Sequence, residues 1–268
     1  MIDVLKQELT PGMSNLERLN RTREFLQILC LKLMCDQNCF DHLAFLGGTS
    51  LRVLFGLKRF SEDLDFSLAQ KTKYDFSKVT DGLLRGFKLY GFAVDIKVKE
   101  EKTVQNALLR FSGLLKEVGL SALEAQKLTI KMEVDTNPPQ GAQLAHTIVH
   151  QKTYMLNLAH YDMPSLYAGK LHACFFRKFI KGRDFYDFVW YLSRRVTPNF
   201  LLLNNAIRQT QGLDLKIDDQ NFKSFLLERI ERIDFEEVKK DVERFLEDKN
   251  ELKLLELKPI QNTIESVY

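Results

Sequence analysis

Two aspartates separated by one residue, Asp63 and Asp65, are the first candidates for chemistry in this sequence. Polar and apolar residues alternate in Asp63-Leu-Asp-Phe66, as they do in a strand with one buried face. Both carboxylates therefore project from the same face, where they repel each other unless a cation lies between them. Mg²⁺ prefers one or two protein carboxylates plus substrate phosphates as its ligands. The pattern predicts a magnesium site that receives a phosphate-bearing substrate.

Two glycines precede this strand, Gly47 and Gly48, after an apolar and strand-like run at 42–46. Thr49 is expected to cap a short helix at 50–55 with its hydroxyl. Glycine lets the backbone approach a ligand closely, and the amides at a helix N-terminus can bind phosphate. A strand, a Gly-Gly turn, a helix and a strand with two acids together predict a site for a nucleoside triphosphate and its metals.

Charged residues also recur at helical spacing further along the chain. A basic row at i, i+4, i+7 and i+11 is expected on one face of a helix at 164–180, and an acidic row on one face of the next helix. The two rows consist of Lys170, Cys174, Arg177 and Lys181, and of Asp184, Asp187 and Tyr191. Two interpretations stay open. The rows form a structural salt bridge, or Lys170 reaches a triphosphate as a point charge.

The elements that must position these residues change in kind along the chain. Strands are predicted at 42–46, 63–68, 92–99, 106–111, 127–134 and 153–158, with helices at 14–35, 50–55 and 74–90. Pro164 suits the first turn of a helix. Beyond it the periodicity is helical throughout, at 164–180, 184–196, 198–210, 219–232 and 234–248. The expectation is an α+β fold, with a mixed sheet and flanking helices at 1–158 and an all-helical domain at 159–268 that completes the active site.

These motifs resemble a known family. Gly-Gly followed by about a dozen residues and Asp-x-Asp is similar to the signature of the nucleotidyltransferase superfamily. The match is closer to the AbiEii/AbiGii toxin family, which includes MenT-type toxins. The motifs that carry it, in the family's order, are Gly47-Gly-Thr-Ser-Leu-Arg52, Arg59-Phe-Ser-Glu-Asp-Leu-Asp-Phe66, Tyr167-Ala-Gly-Lys-Leu-His-Ala173 and Gly182-Arg-Asp-Phe-Tyr-Asp-Phe188.

The resemblance implies a role for each matching residue. A third carboxylate would come from Lys131-Met-Glu-Val-Asp135, with Glu133 favoured and Asp135 as second choice. Lys170 would contact the triphosphate, and Asp184 or Asp187 would orient Lys170 or the acceptor. The remaining nucleotide-binding candidates are Gly47, Gly48, Thr49, Arg52, Ser61 and Arg177.

The resemblance also implies a reaction. Two Mg²⁺ ions would assist an acceptor hydroxyl in its attack on the α-phosphorus of a nucleoside triphosphate, and pyrophosphate would leave. The family implies a tRNA 3′ end as acceptor and a cognate antitoxin as partner. Residues 161–200 hold seven basic and three acidic side chains, which offers a surface for an RNA acceptor.

Composition excludes several other classes of protein. The chain has 268 residues, 39 basic and 36 acidic, and is 45% hydrophobic, as in a folded globular protein. Its longest apolar run near the N-terminus is interrupted by Gln27 and Lys32, which predicts neither a membrane span nor a signal peptide. The four cysteines lack the Cys-x-x-Cys pair typical of a zinc site, and reduced thiols in a cytoplasmic protein are expected. His146 and His150 are expected to be surface residues.

Two other functions stay open from the sequence. One is a small-molecule nucleotidyltransferase of the antibiotic-modifying kind, which would share the metal site but would not need the basic segment. The other is a non-catalytic module that binds RNA or protein. The nucleotide that is transferred depends on the shape of the base pocket, which the motifs do not define.

Overall fold

The computed structural model of the chain describes residues 1–72, 74–100 and 102–268. Within them, one mixed sheet of seven strands has the order β3-β4-β5-β2-β1-β7-β6. Its strands are β1 Leu43–Leu46, β2 Asp63–Leu68, β3 Val94–Lys99, β4 Val104–Phe111, β5 Leu128–Asp135, β6 Leu144–Gln151 and β7 Tyr154–Tyr161. The predicted α+β class is confirmed.

Helices occur before and between the strands of this sheet, and the chain after β7 is mainly helical. In the part of the chain that the structure describes, they are α1 Ile2–Glu8, α2 Asn15–Asp36, α3 Gly47–Phe55, α4 Phe76–Leu89, α5 Leu114–Glu117, α6 Met163–Phe176, α7 Gly182–Ser193, α8 Phe200–Gln211, α9 Phe222–Ile230, α10 Phe235–Val242 and α11 Leu257–Val267. Ser14 caps α2 and Asp162 caps α6, because each side chain accepts a backbone N–H from the first turn. None of these helices is both long and apolar enough to cross a membrane.

The chain divides into two compact units. The first comprises Met1–Phe55, Phe60–Pro138 and His146–His160, and the second comprises Gly56–Arg59, Pro139–Ala145 and Tyr161–Tyr268. Four residues between α3 and β2 thus belong to the second unit, although the sequence on both sides of them belongs to the first. The sequence-based boundary between residues 158 and 159 stays a prediction.

The core of the first unit lies on the faces of the central strands. Phe45 of β1 stacks on Phe66 of β2, with ring centroids 5.3 Å apart, and both rings are buried. A second aromatic group joins α4 to the sheet, where Phe87 and Phe111 meet edge to face at 5.0 Å. Because their apolar neighbours are fixed in this way, the polar faces of β2 and β5 have a defined position.

The core of the second unit forms around α6 and α7. Tyr167 and Tyr191 stack with centroids 4.5 Å apart, and Phe188 lies beside Tyr167. Both faces of α7 are buried, the acidic row as well as the apolar row of Phe185, Phe188 and Leu192. The aspartates of α7 therefore lie inside this unit, where a charge needs a partner.

Several elements differ from the sequence-based expectation. Helix α3 begins at Gly47 and not at residue 50, because Gly47 adopts φ +81° and turns the chain out of β1 directly into helical hydrogen bonding. Strand β6 was not expected, although its residues alternate between exposed and half-buried. His146 and His150 are exposed on that strand, as expected of surface histidines. Helix α11 was also not predicted.

Candidate active site

Strand β2 presents the two predicted aspartates on one face. Leu64 and Phe66 point into the core and are 0% and 2% exposed, whereas Asp63 and Asp65 are half-buried on the opposite face. The alternation in the sequence thus orients these side chains as expected, because successive residues of a strand face opposite sides.

Strand β5 lies beside β2 in parallel and supplies the neighbouring acids. Asp65 is the register partner of Glu133, and Ser67 is the partner of Asp135. Register partners project from the same face, about 5 Å apart. Glu133 is therefore the carboxylate beside Asp65, and Asp135 lies two register pairs further along, beside a buried serine.

The surroundings of the two β5 acids also differ. Lys131 Nζ lies 2.7 Å from the carboxylate of Glu133. The carboxylate of Asp135 accepts the backbone N–H of Asn137 at 2.9 Å, and partial burial raises the pKa of Asp135 above its ordinary value. Glu133 thus has a lysine partner, whereas partial burial of Asp135 disfavours its charged form.

Gly47 forms the close approach that the sequence pattern requires. A Cβ atom at this position would lie 2.3 Å from Oδ2 of Asp65, and φ is +81°, a conformation that residues with a side chain rarely adopt. The carboxylate of Asp65 thus packs against the first residue of α3, where the helix dipole favours a negative charge. Gly48, the next residue of the helix, is buried.

Thr49 has a different contact from the one expected. It lies inside α3, so its hydroxyl does not cap the helix and instead donates to the carbonyl oxygen of Asp63. The hydroxyl of Ser50 donates to the carbonyl oxygen of Gly47 at 2.8 Å. These two bonds tie the start of α3 to its own first turn and to strand β2, and hold the glycine turn beside the aspartates.

Two further nucleotide-binding candidates of the first unit lie on either side of the loop before β2. The guanidinium of Arg52 pairs with Glu24 and lies over the ring of Phe60, 4.2 Å from its centroid. Ser61 is half-buried, and its backbone carbonyl accepts a hydrogen bond from the Gln27 amide at 3.1 Å. Both residues are held by contacts of the first unit.

In the second unit, Lys170 of α6 meets both predicted aspartates of α7. Its Nζ lies 2.7 Å from Oδ1 of Asp184 and 2.8 Å from Oδ2 of Asp187. The lysine side chain is 10% exposed and Asp187 is fully buried. The sequence left open which aspartate accompanies Lys170, and the structure brings both to it.

Two arginines complete this network. Arg177 Nη1 lies 2.6 Å from Oδ2 of Asp184. Arg59 donates from Nε to Oδ1 of Asp187 at 2.6 Å and from Nη2 to Oδ2 at 2.5 Å, a bidentate pair in which the arginine side chain is 2% exposed. Arg59 has no role assigned to it from the sequence. Its signal in the sequence was its position at the start of the motif Arg59-Phe-Ser-Glu-Asp-Leu-Asp-Phe66.

The network determines the charge states of its members. Burial alone would lower the pKa of Lys170, but Asp184 and Asp187 outweigh burial and raise it above its ordinary value. Burial alone would raise the pKa of Asp184, but Lys170 and Arg177 outweigh burial and lower it. Lys170 is therefore an ammonium ion at neutral pH, suited to bind an anion and unsuited to act as a base.

The predicted basic row is wrong in its second half. Helix α6 ends at Phe176, and Arg177 adopts an extended conformation, which lets its side chain turn back to Asp184. Lys181 is exposed ahead of α7, and Phe179 is 70% exposed instead of lying in an apolar row. Regular helical spacing therefore holds for Lys170 and Cys174 and fails for the two cations beyond them.

The acidic side chains of β2 offer oxygen donors suited to a metal. In residues 1–72, 74–100 and 102–268, no three His, Cys, Asp or Glu side chains form a group that could hold an ion by themselves. Asp63 and Asp65 nevertheless offer hard oxygen donors on one face, beside a glycine where no side chain intrudes. This set fits Mg²⁺, which takes one or two protein carboxylates and completes its shell with water and phosphate oxygens.

Comparison with known proteins identifies the family. The model of the family described as nucleotidyl transferase AbiEii toxin, type IV toxin–antitoxin system, matches residues 31–263. The chain belongs to this family and is a nucleotidyltransferase, which confirms the resemblance found in the sequence. The alternative of a non-catalytic binding module is therefore wrong. No curated protein sequence matches the chain.

Two solved structures are similar to this one. The crystal structure of JHP933 from Helicobacter pylori superposes with a TM-score of 0.55 at 17% identity, over 92% of this chain and 93% of that one. That similarity is one of fold alone. A structure of a candidate nucleotidyltransferase from H. pylori gives a TM-score of 0.48 at 20% identity, over 92% of this chain and 96% of that one.

Proposed function

We propose that this AbiEii-family nucleotidyltransferase uses Mg²⁺ to transfer a nucleoside monophosphate from a nucleoside triphosphate to the 3′ end of a tRNA, and that a cognate antitoxin restrains it. The observation that carries the proposal is the position of the Asp65 carboxylate. It packs against Gly47 at the start of α3 and lies beside Glu133, its register partner on β5. The acidic side chains and the glycine turn are therefore adjacent, as is required to bind a metal ion together with the phosphates of a nucleotide.

Asp63 and Asp65 would hold the metal, with Glu133 as the third acidic group. When bound, Mg²⁺ would neutralise charge on the triphosphate and acidify the acceptor hydroxyl. Glu133, which is paired with Lys131, would contact the metal or accept a proton. Asp135 would have no direct part, because its register partner is Ser67 and not an aspartate.

The triphosphate would be bound by backbone amides and by side chains that carry no negative charge. Gly47 and Gly48 present backbone at the first turn of α3, where the amides favour phosphate oxygens. Lys170 would supply a fixed positive charge to the pyrophosphate as it leaves. Ser61, two residues before Asp63, and the cations Arg52 and Arg177 are the further candidates for phosphate contact.

An RNA acceptor is favoured over a small molecule by exposed cations in the second unit. Lys178, Lys181, Arg194 and Arg195 are all exposed there. Arg194 lies over the ring of Trp190, 4.2 Å from its centroid, so that a base could stack on the same flat surface. A small-molecule nucleotidyltransferase would need the metal site and would gain nothing from these side chains.

The proposal is tested with purified protein, Mg²⁺, each of four α-labelled triphosphates, and either tRNA or a panel of small hydroxyl-bearing acceptors. We expect label on tRNA from one or two of the nucleotides, and none when the 3′ hydroxyl has been oxidised with periodate. Label on a small molecule alone would favour the rival function. Absence of label on every acceptor would contradict the proposal.

The toxin role is tested separately in bacteria. Expression of the wild-type chain without a partner should slow growth, whereas the Asp63→Asn variant at equal protein level should not. Equal growth of the two strains would contradict the toxin role and would leave the biochemical proposal standing.

A further inference from the structure

The ion-pair network of the second unit has an unusual balance of charge. Lys170, Asp184 and Asp187 together carry a net charge of −1, which would repel a triphosphate. Arg59 and Arg177 bring the network to +1. Arg59 is the buried member of this pair of arginines, since its side chain is 2% exposed whereas that of Arg177 is 41% exposed.

We infer that Arg59 is a positioning residue that holds Asp187 in place and compensates its charge, so that the charge of Lys170 remains available to the triphosphate. This inference rests on the proposed function. It assigns to Arg59 a part in nucleotide binding that it performs through Asp187, without touching the nucleotide.

The geometry of Lys170 supports the inference. An ammonium group has three donors. Within the part of the chain that the structure describes, its partners are the two aspartates, so one N–H is left without a protein partner on a side chain that is nine-tenths buried. A buried donor of this kind needs an acceptor, and a phosphate oxygen satisfies both its hydrogen bond and its charge.

The geometry of Arg59 explains why the remaining N–H of Lys170 does not also bind Asp187. The guanidinium occupies both oxygens of that carboxylate from its own side, in a fixed planar fork. Asp187 therefore contributes one oxygen to Lys170 while most of its charge is balanced elsewhere. Without Arg59, the same carboxylate would compete with phosphate for the ammonium group.

A double variant distinguishes two possible roles of Arg59, compensation of the charge of Asp187 and structural support alone. Arg59→Met removes the compensating charge and leaves Asp187 buried and unpaired. Arg59→Met with Asp187→Asn removes both charges and returns the network to +1, and a buried pair replaced by neutral residues of similar size is often tolerated. Arg208→Met breaks the exposed pair with Asp214 in the same unit and serves as the control.

The measurement is the affinity for a Mg²⁺-triphosphate, without RNA, together with the melting temperature of each variant. We expect Arg59→Met to bind the triphosphate about ten- to a hundredfold more weakly, the double variant to bind within about threefold of wild type, and Arg208→Met to be unchanged. Turnover of the double variant at saturating triphosphate reports any separate need for Asp187.

Three results would overturn the inference. The first is an unchanged affinity in folded Arg59→Met with a lower melting temperature. The second is a double variant that folds but binds as weakly as Arg59→Met. The third applies if Arg59→Met does not fold. In that case, a folded double variant that binds the triphosphate more than about tenfold more weakly than wild type would overturn the inference, whereas binding equal to wild type would support it. Failure of the wild-type protein to bind any triphosphate would refute the proposed function instead.

Discussion

The carboxylate of Asp65 lies so close to the α-carbon of Gly47 that a methyl group at position 47 would come within 2.3 Å of Oδ2. The two residues are brought together by antiparallel pairing of β1 and β2, in which Leu46 is the register partner of Asp65. The glycine therefore has two functions. It turns the chain from β1 into α3, and it leaves space for an acid beside the first turn of that helix.

Gly47→Ala tests this contact. The added methyl group should displace the Asp65 carboxylate and abolish nucleotidyl transfer, and the positive φ should cost about 1–2 kcal/mol of stability. Gly91→Ala is the matched control, because Gly91 has φ +85° with open space around its α-carbon. The melting temperature should fall by a similar amount in both variants, and only Gly47→Ala should lose nucleotidyl transfer. Equal transfer by the two variants would contradict the role of the contact.

The two acids of β5 are separated by a second comparison. Glu133→Gln should lower the rate of transfer at least about a hundredfold, since a neutral carboxamide binds Mg²⁺ more weakly than a carboxylate and does not accept a proton at neutral pH. Asp135→Asn should leave the rate within about threefold, because Asp135 is paired in register with Ser67. The measurement is the single-turnover rate of label transfer. The reverse ranking would assign the third acid to Asp135.

Lys170→Ala should reduce transfer with every acceptor and weaken triphosphate binding in the absence of RNA. The loss of a charge-assisted contact is worth roughly 1.5–3 kcal/mol, or about ten- to a hundred-and-fifty-fold. Lys178→Ala is the control, because Lys178 is exposed and should affect RNA binding and its salt dependence alone. An unchanged triphosphate affinity and a normal rate, with a lower melting temperature, would leave Lys170 a purely structural role.

The network also predicts a pH dependence of stability. The pKa of Asp184 is lower in the folded protein than the value of about 3.9 that an unfolded aspartate has. Its ionic contribution is therefore complete above about pH 4 to 5 and is lost as the pH falls through the folded pKa. The difference in unfolding free energy between wild type and Asp184→Asn should be largest near pH 7 and shrink toward pH 3. A difference that is independent of pH would contradict the lowered pKa.

Local features of the chain could be predicted from the sequence. Strand β2 begins and ends as expected, and Asp63 and Asp65 share a face, because alternation is a property of one strand. The helix after β1 was placed three residues too late, because the capping rule applied to Thr49 ignores the ability of Gly47 to adopt a positive φ. Local rules thus succeed where the cause is local.

Contacts between distant segments could not be predicted. Glu133 and Asp135 have the same alternation, and the register of β5 against β2 distinguishes them. Arg59 and Asp187 are 128 positions apart, so that no spacing connects them. Strand β6 shows why period alone misleads: residues four apart, such as His146 and His150, share a face in a strand as well as in a helix.

We expect Asp63 and Asp65 to hold the metal through which the nucleotide is transferred. This expectation is tested most directly by the single-turnover rate of label transfer from an α-labelled triphosphate to tRNA, measured against Mg²⁺ concentration in wild type, Asp63→Asn and Asp65→Asn. We expect a saturable dependence on Mg²⁺ in wild type and background rates in both variants. Their melting temperatures should equal or exceed that of wild type, because the two carboxylates no longer repel each other. Wild-type rates in both variants at the same Mg²⁺ concentration would contradict this expectation.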